Sequence, residues 1–280
     1  MPNTASAPEL GLLIEPETLA AHLTSSNLLI IDQSSQDTYR QHHVPGAVHV
    51  DFKRLQLGVA PTPGALPSLD ALSTLFSEIG LTPDTHVIAY DDEGGGWAGR
   101  LIWILDCIGH TRYSYLNGGI HAWLQAGLAT EQEEHVAASS HYEVTELHDG
   151  FSLTKEDILQ RLGRPDFAIW DARSAAEYSG EKVISARGGH IPGAIHFEWT
   201  AGMDKERGLR VLDLEVFRTQ LQQLGLNQEQ EIVTHCQTHH RSGFTYLVGK
   251  LLGFNIKAYA GSWSEWGNDP NTPIHTGKQP

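Results

Sequence analysis

The chain repeats itself, and the repeat leaves few folds open. Asp32 follows the apolar run Leu28-Leu29-Ile30-Ile31 and stands seven residues before Tyr39; Asp171 follows Phe167-Ala168-Ile169-Trp170 and stands seven before Tyr178. His43-Val44-Pro45-Gly46-Ala47 returns as His190-Ile191-Pro192-Gly193-Ala194, and Ile79-Gly80-Leu81 as Leu224-Gly225-Leu226. Leu116-Asn117-Gly118-Gly119 with Trp123 is answered by Tyr259-Ala260-Gly261-Ser262 with Trp266. Four blocks recur in one order at offsets of 139 to 147 residues, so a whole domain has been duplicated. A unit of roughly 120 to 140 residues is far longer than a solenoid repeat and folds on its own core.

Within each copy short apolar runs alternate with helix-period segments, the pattern of βαβ units around a mostly parallel sheet. In the second copy the pattern predicts strands at 167–170, 194–197, 231–235 and 256–259. Between the second and third, Leu214, Phe217, Leu221 and Leu224 form one apolar helix face, with Gly225 placed as a C-terminal cap. The first copy has the matching helix with Leu69, Leu72, Phe76 and Ile79, ended by Gly80. Residues 129–150 are polar, acidic and aperiodic, a linker between a first domain, 1–128, and a second, 151–280. The Pro-Gly pairs at 45–46 and 192–193 read as turns that aim the next strand, not as metal sites. The glycine blocks near Gly118 and Gly261 read as tight turns before a Trp-anchored helix.

Where the copies differ, the chemistry should lie. After Glu231-Ile232-Val233-Thr234-His235 the second copy reads Cys236-Gln237-Thr238-His239-His240-Arg241-Ser242-Gly243 and enters a helix from about Phe244 to Leu252. After Val87-Ile88-Ala89-Tyr90 the first reads Asp91-Asp92-Glu93-Gly94-Gly95-Gly96-Trp97-Ala98-Gly99. Asp91 stands where Cys236 stands, so thiolate chemistry belongs to the second copy alone. A cysteine between a parallel strand and a helix N-terminus sits among converging N–H groups and the positive end of a helix dipole. With Arg241 and protonated His239 or His240 beside it, its pKa is expected to fall from about 8.5 toward neutrality. A small buried core cysteine is the bland alternative, but Gln, Thr, His, His and Arg are not core composition. Cys107 lies in the apolar run Leu101 to Ile108 and reads as buried and inert. A zinc site from His235, Cys236, His239 and His240 would need ligands converging from opposite sides of one tight loop.

Net charge excludes some partners. The 280 residues carry 19 Lys+Arg against 34 Asp+Glu, a formal −15, which argues against nucleic acid or an anionic membrane as partner. Residues 1–150 hold 5 basic and 19 acidic side chains, a net of −14, and residues 151–280 hold 14 and 15, a net of −1. Two cysteines are too few for a disulfide framework. Met1-Pro2-Asn3-Thr4-Ala5-Ser6 lacks a basic segment before an apolar run, and no stretch approaches the roughly 18 apolar residues of a membrane span. The expectation is a cytoplasmic, unanchored monomer.

Asp171-Ala172-Arg173, Gly189 to Ala194, and Gly261-Ser262-Trp263-Ser264-Glu265-Trp266 together resemble blocks of the rhodanese family. The Cys236 loop resembles that of its bacterial thiosulfate sulfurtransferases. The resemblance implies an α/β protein of two tandem rhodanese-like domains, the first catalytically silent, with no metal or organic cofactor. It implies a double displacement in which Cys236 takes a sulfane sulfur from thiosulfate and passes it, as a persulfide, to cyanide or a thiol. Arg241 is expected to meet the sulfonate, with Gln237, Thr238, His239, His240 and Ser242 around it. Larger members often place an Arg before the aromatic that follows Asp-x-Arg; here that residue is Glu177. The second copy carries eight extra residues in this region, about 180–188. Arg187, at their end, is expected to reach the mouth of the site.

Three rivals stay open. A 3-mercaptopyruvate sulfurtransferase shares the layout but usually carries small uncharged residues after its cysteine. A phosphatase of the same fold needs five residues between Cys and Arg, and here there are four. A carrier delivering persulfide sulfur to a protein partner would use the same chemistry at Cys236.

Overall fold

The computed structural model describes residues 10–280 of the chain, so the reading of the first residues as lacking a leader falls outside it. In the first half, strands β1 (Leu13–Ile14), β2 (Leu28–Asp32), β3 (Val48–His49), β4 (His86–Tyr90) and β5 (Tyr113–Leu116) alternate with helices α1 (Pro16–Ala20), α2 (Gln36–Gln41), α3 (Leu69–Glu78), α4 (Gly96–Cys107) and α5 (Gly119–Gln125). The second half adds β6 (Phe167–Asp171), β7 (Ala194–His196), a β8–β9 ribbon (Met203–Asp204, Arg210–Val211), β10 (Glu231–His235) and β11 (Asn255–Ala258). Its helices are α6 (Lys155–Arg161), α7 (Ala175–Ser179), α8 (Leu214–Leu224), α9 (Arg241–Leu251) and α10 (Ser262–Trp266). The two sheets run β1-β5-β4-β2-β3 and β11-β10-β6-β7, and every pair in them is parallel.

Sequence dictates these elements locally. Asp213 accepts from the N–H groups of Glu215 and Val216 to open α8, and Gly225 closes it at φ +100. Phe217 and Leu221 of the expected apolar face are buried, but Leu224 in the last turn is 46% exposed. The two His-x-Pro-Gly-Ala blocks build one motif twice. His43 stacks on Tyr39 at 4.0 Å and His190 on Tyr178 at 3.7 Å, while each tyrosine hydroxyl donates to the block's alanine carbonyl. They are turn-and-staple devices at the entrance to a strand, β3 in the first copy and β7 in the second.

Register brings the important loops together. Asp32 pairs with Tyr90 and Asp171 with His235, so in each sheet the last residues of the two central strands lie side by side. The loops that follow β4 and β10 feed α4 and α9, whose N-terminal halves pack face to face across the domain boundary. A Cβ on Gly99 would lie 2.2 Å from the Gly243 carbonyl oxygen, and one on Gly243 would lie 2.3 Å from that of Gly96. Only glycine permits this approach. Further along the same helices Tyr246 and Lys250 both donate to Asp106. Residues 129–150 are laid along the first domain: Glu131 bridges His43, Ser140 bonds to Ser77 and Leu81, and Val144 is buried.

Gly99→Ala is expected to cost about 1–3 kcal/mol, since a methyl must be forced between two backbones. Chemical denaturation read by tryptophan fluorescence checks this, and an unchanged midpoint would mean that the helices do not meet as closely.

Candidate active site

The first-domain loop shows what this turn is built to hold. Asp91, wholly buried, takes the N–H groups of Glu93, Gly94 and Gly95 on Oδ1 at 2.8–3.0 Å, and those of Trp97 and Ala98 on Oδ2 at 2.9 and 3.0 Å. Five backbone donors and the N-terminus of α4 converge on one carboxylate. Burial raises its pKa from the ordinary carboxylate value, against the pull of these donors.

Cys236 occupies the same place at the end of β10, also with no exposed surface. From cysteine to the first turn of the helix the two loops have equal length, so Thr238, His239, His240, Ser242 and Gly243 answer the five donors of Asp91. Burial pushes the Cys236 thiol up, but Arg241, the Ser242 hydroxyl and the N–H groups of Ser242 and Thr238 outweigh it, and the net shift is downward. The N–H groups of His239 and His240 have no protein acceptor among the described residues. His239 holds a left-handed φ of +57, where the first copy has Gly94 at +92. Cys107 is the contrast: burial drives its thiol up to about 12.

The expected neighbours divide. Arg241 is at the site, but its guanidinium is forked onto Glu177 at 2.7 and 2.8 Å. Burial alone would raise Glu177, yet Arg241 and the capping Ser174 pull it down to about 2. Gln237 donates to Ser185 at 3.1 Å, so the eight-residue insertion does reach the loop, through Ser185. Arg187 does not reach it. Its guanidinium donates to the carbonyls of Trp266, Asp269 and Thr272 and to the Thr272 hydroxyl, because its own backbone is pinned to the same turn, its N–H donating to the Gly267 carbonyl.

His239 is not the source of positive charge. His239 is buried and its pKa falls well below the ordinary value, through burial first and then Arg100; its Nδ1 meets Ser242 Oγ at 2.7 Å. His240 turns to the first domain, stacking on Trp97 at 3.9 Å and bonding Glu93 at 2.6 Å. His235 faces the buried Asp171–Arg173 pair, whose Asp171 it approaches at 3.5 Å. The loop histidines thus diverge, and no three His, Cys, Asp or Glu side chains among the described residues converge as a metal site.

Two participants escaped the sequence reading. Glu177 was noted only as a missing arginine, although an acidic side chain opposite Arg241 is a partner by charge alone. Arg100, a fully buried arginine on α4, donates to the His239 carbonyl at 3.2 Å and to that of Thr238 at 3.5 Å. The one available signal is a charged residue in the first half of a helix whose only other charge is Asp106.

A family model described as the rhodanese-like domain matches the chain twice, at residues 15–126 and 154–269. The chain belongs to the rhodanese family. It is similar to a thiosulfate sulfurtransferase of Pseudomonas aeruginosa, 51% identical with 95% of this chain and 97% of that protein covered. A thiosulfate sulfurtransferase of Azotobacter vinelandii is 52% identical over the same shares. A probable 3-mercaptopyruvate sulfurtransferase of Pseudomonas aeruginosa is 31% identical, with 95% and 98% covered.

Arg241→Ala should move the pH midpoint of Cys236 alkylation upward, and Glu177→Gln, which leaves the guanidinium uncompensated, should move it downward; rates of iodoacetamide reaction against pH measure both. Because the folded pKa of Glu177 lies below its ordinary 4.5, the pair's stabilisation is complete above that value and is lost as pH falls toward about 2. Acid unfolding of the wild type should therefore begin earlier than that of Glu177→Gln relative to each protein's neutral-pH stability. Parallel acid profiles would contradict this.

Proposed function

We propose that the protein is a thiosulfate sulfurtransferase working through a Cys236 persulfide. The Cys236 thiolate attacks the outer sulfur of thiosulfate; the S–S bond to the sulfonate sulfur breaks, sulfite leaves with the bonding pair, and a persulfide anion remains. Cyanide or a thiolate then attacks the terminal sulfur, forming thiocyanate or an acceptor persulfide and releasing Cys236 as thiolate. Charge and atoms balance in both halves, and no cofactor is required.

The observation that carries this reading is Asp91 in its cradle. The anionic oxygens of an aspartate lie two bonds beyond Cβ, and so does the terminal sulfur of a cysteine persulfide. A loop of equal length, with the N–H groups of His239 and His240 free of protein acceptors, is therefore deep enough for Sγ plus one anionic sulfur. Gln237, Thr238, His240 and Arg241, each partly exposed, surround the entry to Cys236, and Arg241 is the cation placed to meet a sulfonate. The relatives named above support thiosulfate as donor.

A reactive thiolate with no disulfide partner suits a reducing compartment, and we place the protein in the cytoplasm, acting as a monomer. No helix among the described residues is long and apolar enough to cross a membrane.

Incubation with thiosulfate should add the mass of one sulfur to the intact protein, and cyanide should remove it. Cys107→Ser should behave as wild type and Cys236→Ser should gain nothing. An unchanged wild-type mass refutes the mechanism, and faster turnover with 3-mercaptopyruvate than with thiosulfate refutes the choice of donor.

A further inference from the structure

The Cys236 cradle is completed from the other domain. Arg100 leaves α4 with no exposed surface, and every acceptor of its guanidinium is a backbone carbonyl. Leu55 accepts from Nε and Nη2 at 2.9 and 2.7 Å and Gly64 from Nη2 at 2.7 Å, while Nη1 is turned to His239 and Thr238 of the reactive loop. Gly64 lies so close to that loop that a Cβ on it would stand 2.2 Å from the Thr238 carbonyl oxygen. One side chain therefore binds the first-domain segment and the loop together where they touch.

The direction of these bonds matters. Each peptide that gives its carbonyl to Arg100 turns its N–H the opposite way, and in a loop wrapped around one atom the opposite way is inward, toward Cys236. His239 needs this most, because a left-handed backbone at a non-glycine residue persists only where its surroundings hold it. Its carbonyl is held by Arg100, its ring by Ser242 and by an edge-on contact with Trp103 at 4.5 Å.

Arg100 has no carboxylate partner among the described residues, which is unusual for a buried cation. The anionic groups whose fields reach it are Cys236 and Cys107, and Cys107 stays protonated. Groups facing Cys236 from every packed element are Arg241 and His239 of its own loop, His235 of β10, Asp171 with Arg173 beside β6, and Arg100 of α4. Arg241 divides its charge between Cys236 and Glu177, so Arg100 is the cation near Cys236 that no carboxylate compensates.

We propose that Arg100 of the first domain is a positioning residue for sulfur transfer: it fixes the Thr238 and His239 peptides with their N–H groups toward Cys236 and supplies the buried positive charge facing the cysteine anion. The inference rests on Cys236 being the sulfur-accepting nucleophile. The first domain is thus a working part of the site although it has no reactive group of its own.

The test compares Arg100→Gln, which removes the charge, Arg100→Lys, which keeps the charge without the fork, and Lys250→Met, which breaks a contact between the same two helices away from the loop. For each folded protein the alkylation of Cys236 against pH and the single-turnover rate of persulfide formation from thiosulfate are measured. Arg100→Gln should raise the alkylation midpoint by about one unit and slow sulfur transfer at least about tenfold, with little change in the concentration of thiosulfate at half-maximal rate. Arg100→Lys should fall between Gln and wild type, and Lys250→Met should match wild type in both readouts. If Arg100→Gln does not fold, Arg100→Lys alone decides. Wild-type profiles in Arg100→Lys would overturn the proposal, as would equal losses in Lys250→Met. A wild type that forms no persulfide would instead overturn the assignment of Cys236.

Discussion

The structure depends on one interaction used twice, the convergence of backbone N–H groups at a strand-to-helix turn onto a single buried anion. In the first domain that anion is part of the fold: five N–H groups close on Asp91 and the turn is finished. Removing it would strand five donors in the interior, where each unmet donor costs about 1–3 kcal/mol. In the second domain the same turn ends in Cys236, whose thiol is drawn below its ordinary value by Arg241 and by donors of Thr238 and Ser242. The remaining donors are what a chemical step can use. On this account the silent copy is silent because its cradle is filled, and the reactive copy reacts because its cradle is left partly open.

The two copies also serve each other. Glycine contacts let α4 and α9 approach until their backbones touch, and this closeness carries Arg100 into reach of the reactive loop. His240 reaches back the other way, onto Trp97 and Glu93. The overall charge of −15 is a poor guide to this place, since the cation facing Cys236 with no carboxylate beside it comes from the acidic half of the chain. Surface charge sets solubility; a buried guanidinium at the interface itself sets the local field.

Much of this was legible in the sequence, for identifiable reasons. Strand and helix positions could be read because the apolar periods are clean and because Gly225 and the Pro-Gly pairs mark their ends with local chemistry. Cys236 was legible because duplication sets it against Asp91. What could not be read was side-chain direction. His239 and His240 are neighbours in sequence, but the left-handed residue between strand and helix sends one inward and the other across the domain boundary. Arg187 looks like a substrate ligand from its place at the end of an insertion, and instead ties down the turn after α10, whose carbonyls have no sequence signature. Arg100 was invisible because its partners are backbone carbonyls from three separate segments, and carbonyls carry no residue identity.

The central claim is that the loop pulls the Cys236 thiol below its ordinary value while burial holds the protein's other thiol above it. Titration of both cysteines by the NMR shift of ¹³Cβ-labelled cysteine reads this in one sample. Cys236 should titrate below the ordinary thiol value, and Cys107 should show no titration until pH nears about 12. A Cys236 that titrates at or above the ordinary thiol value would contradict the account.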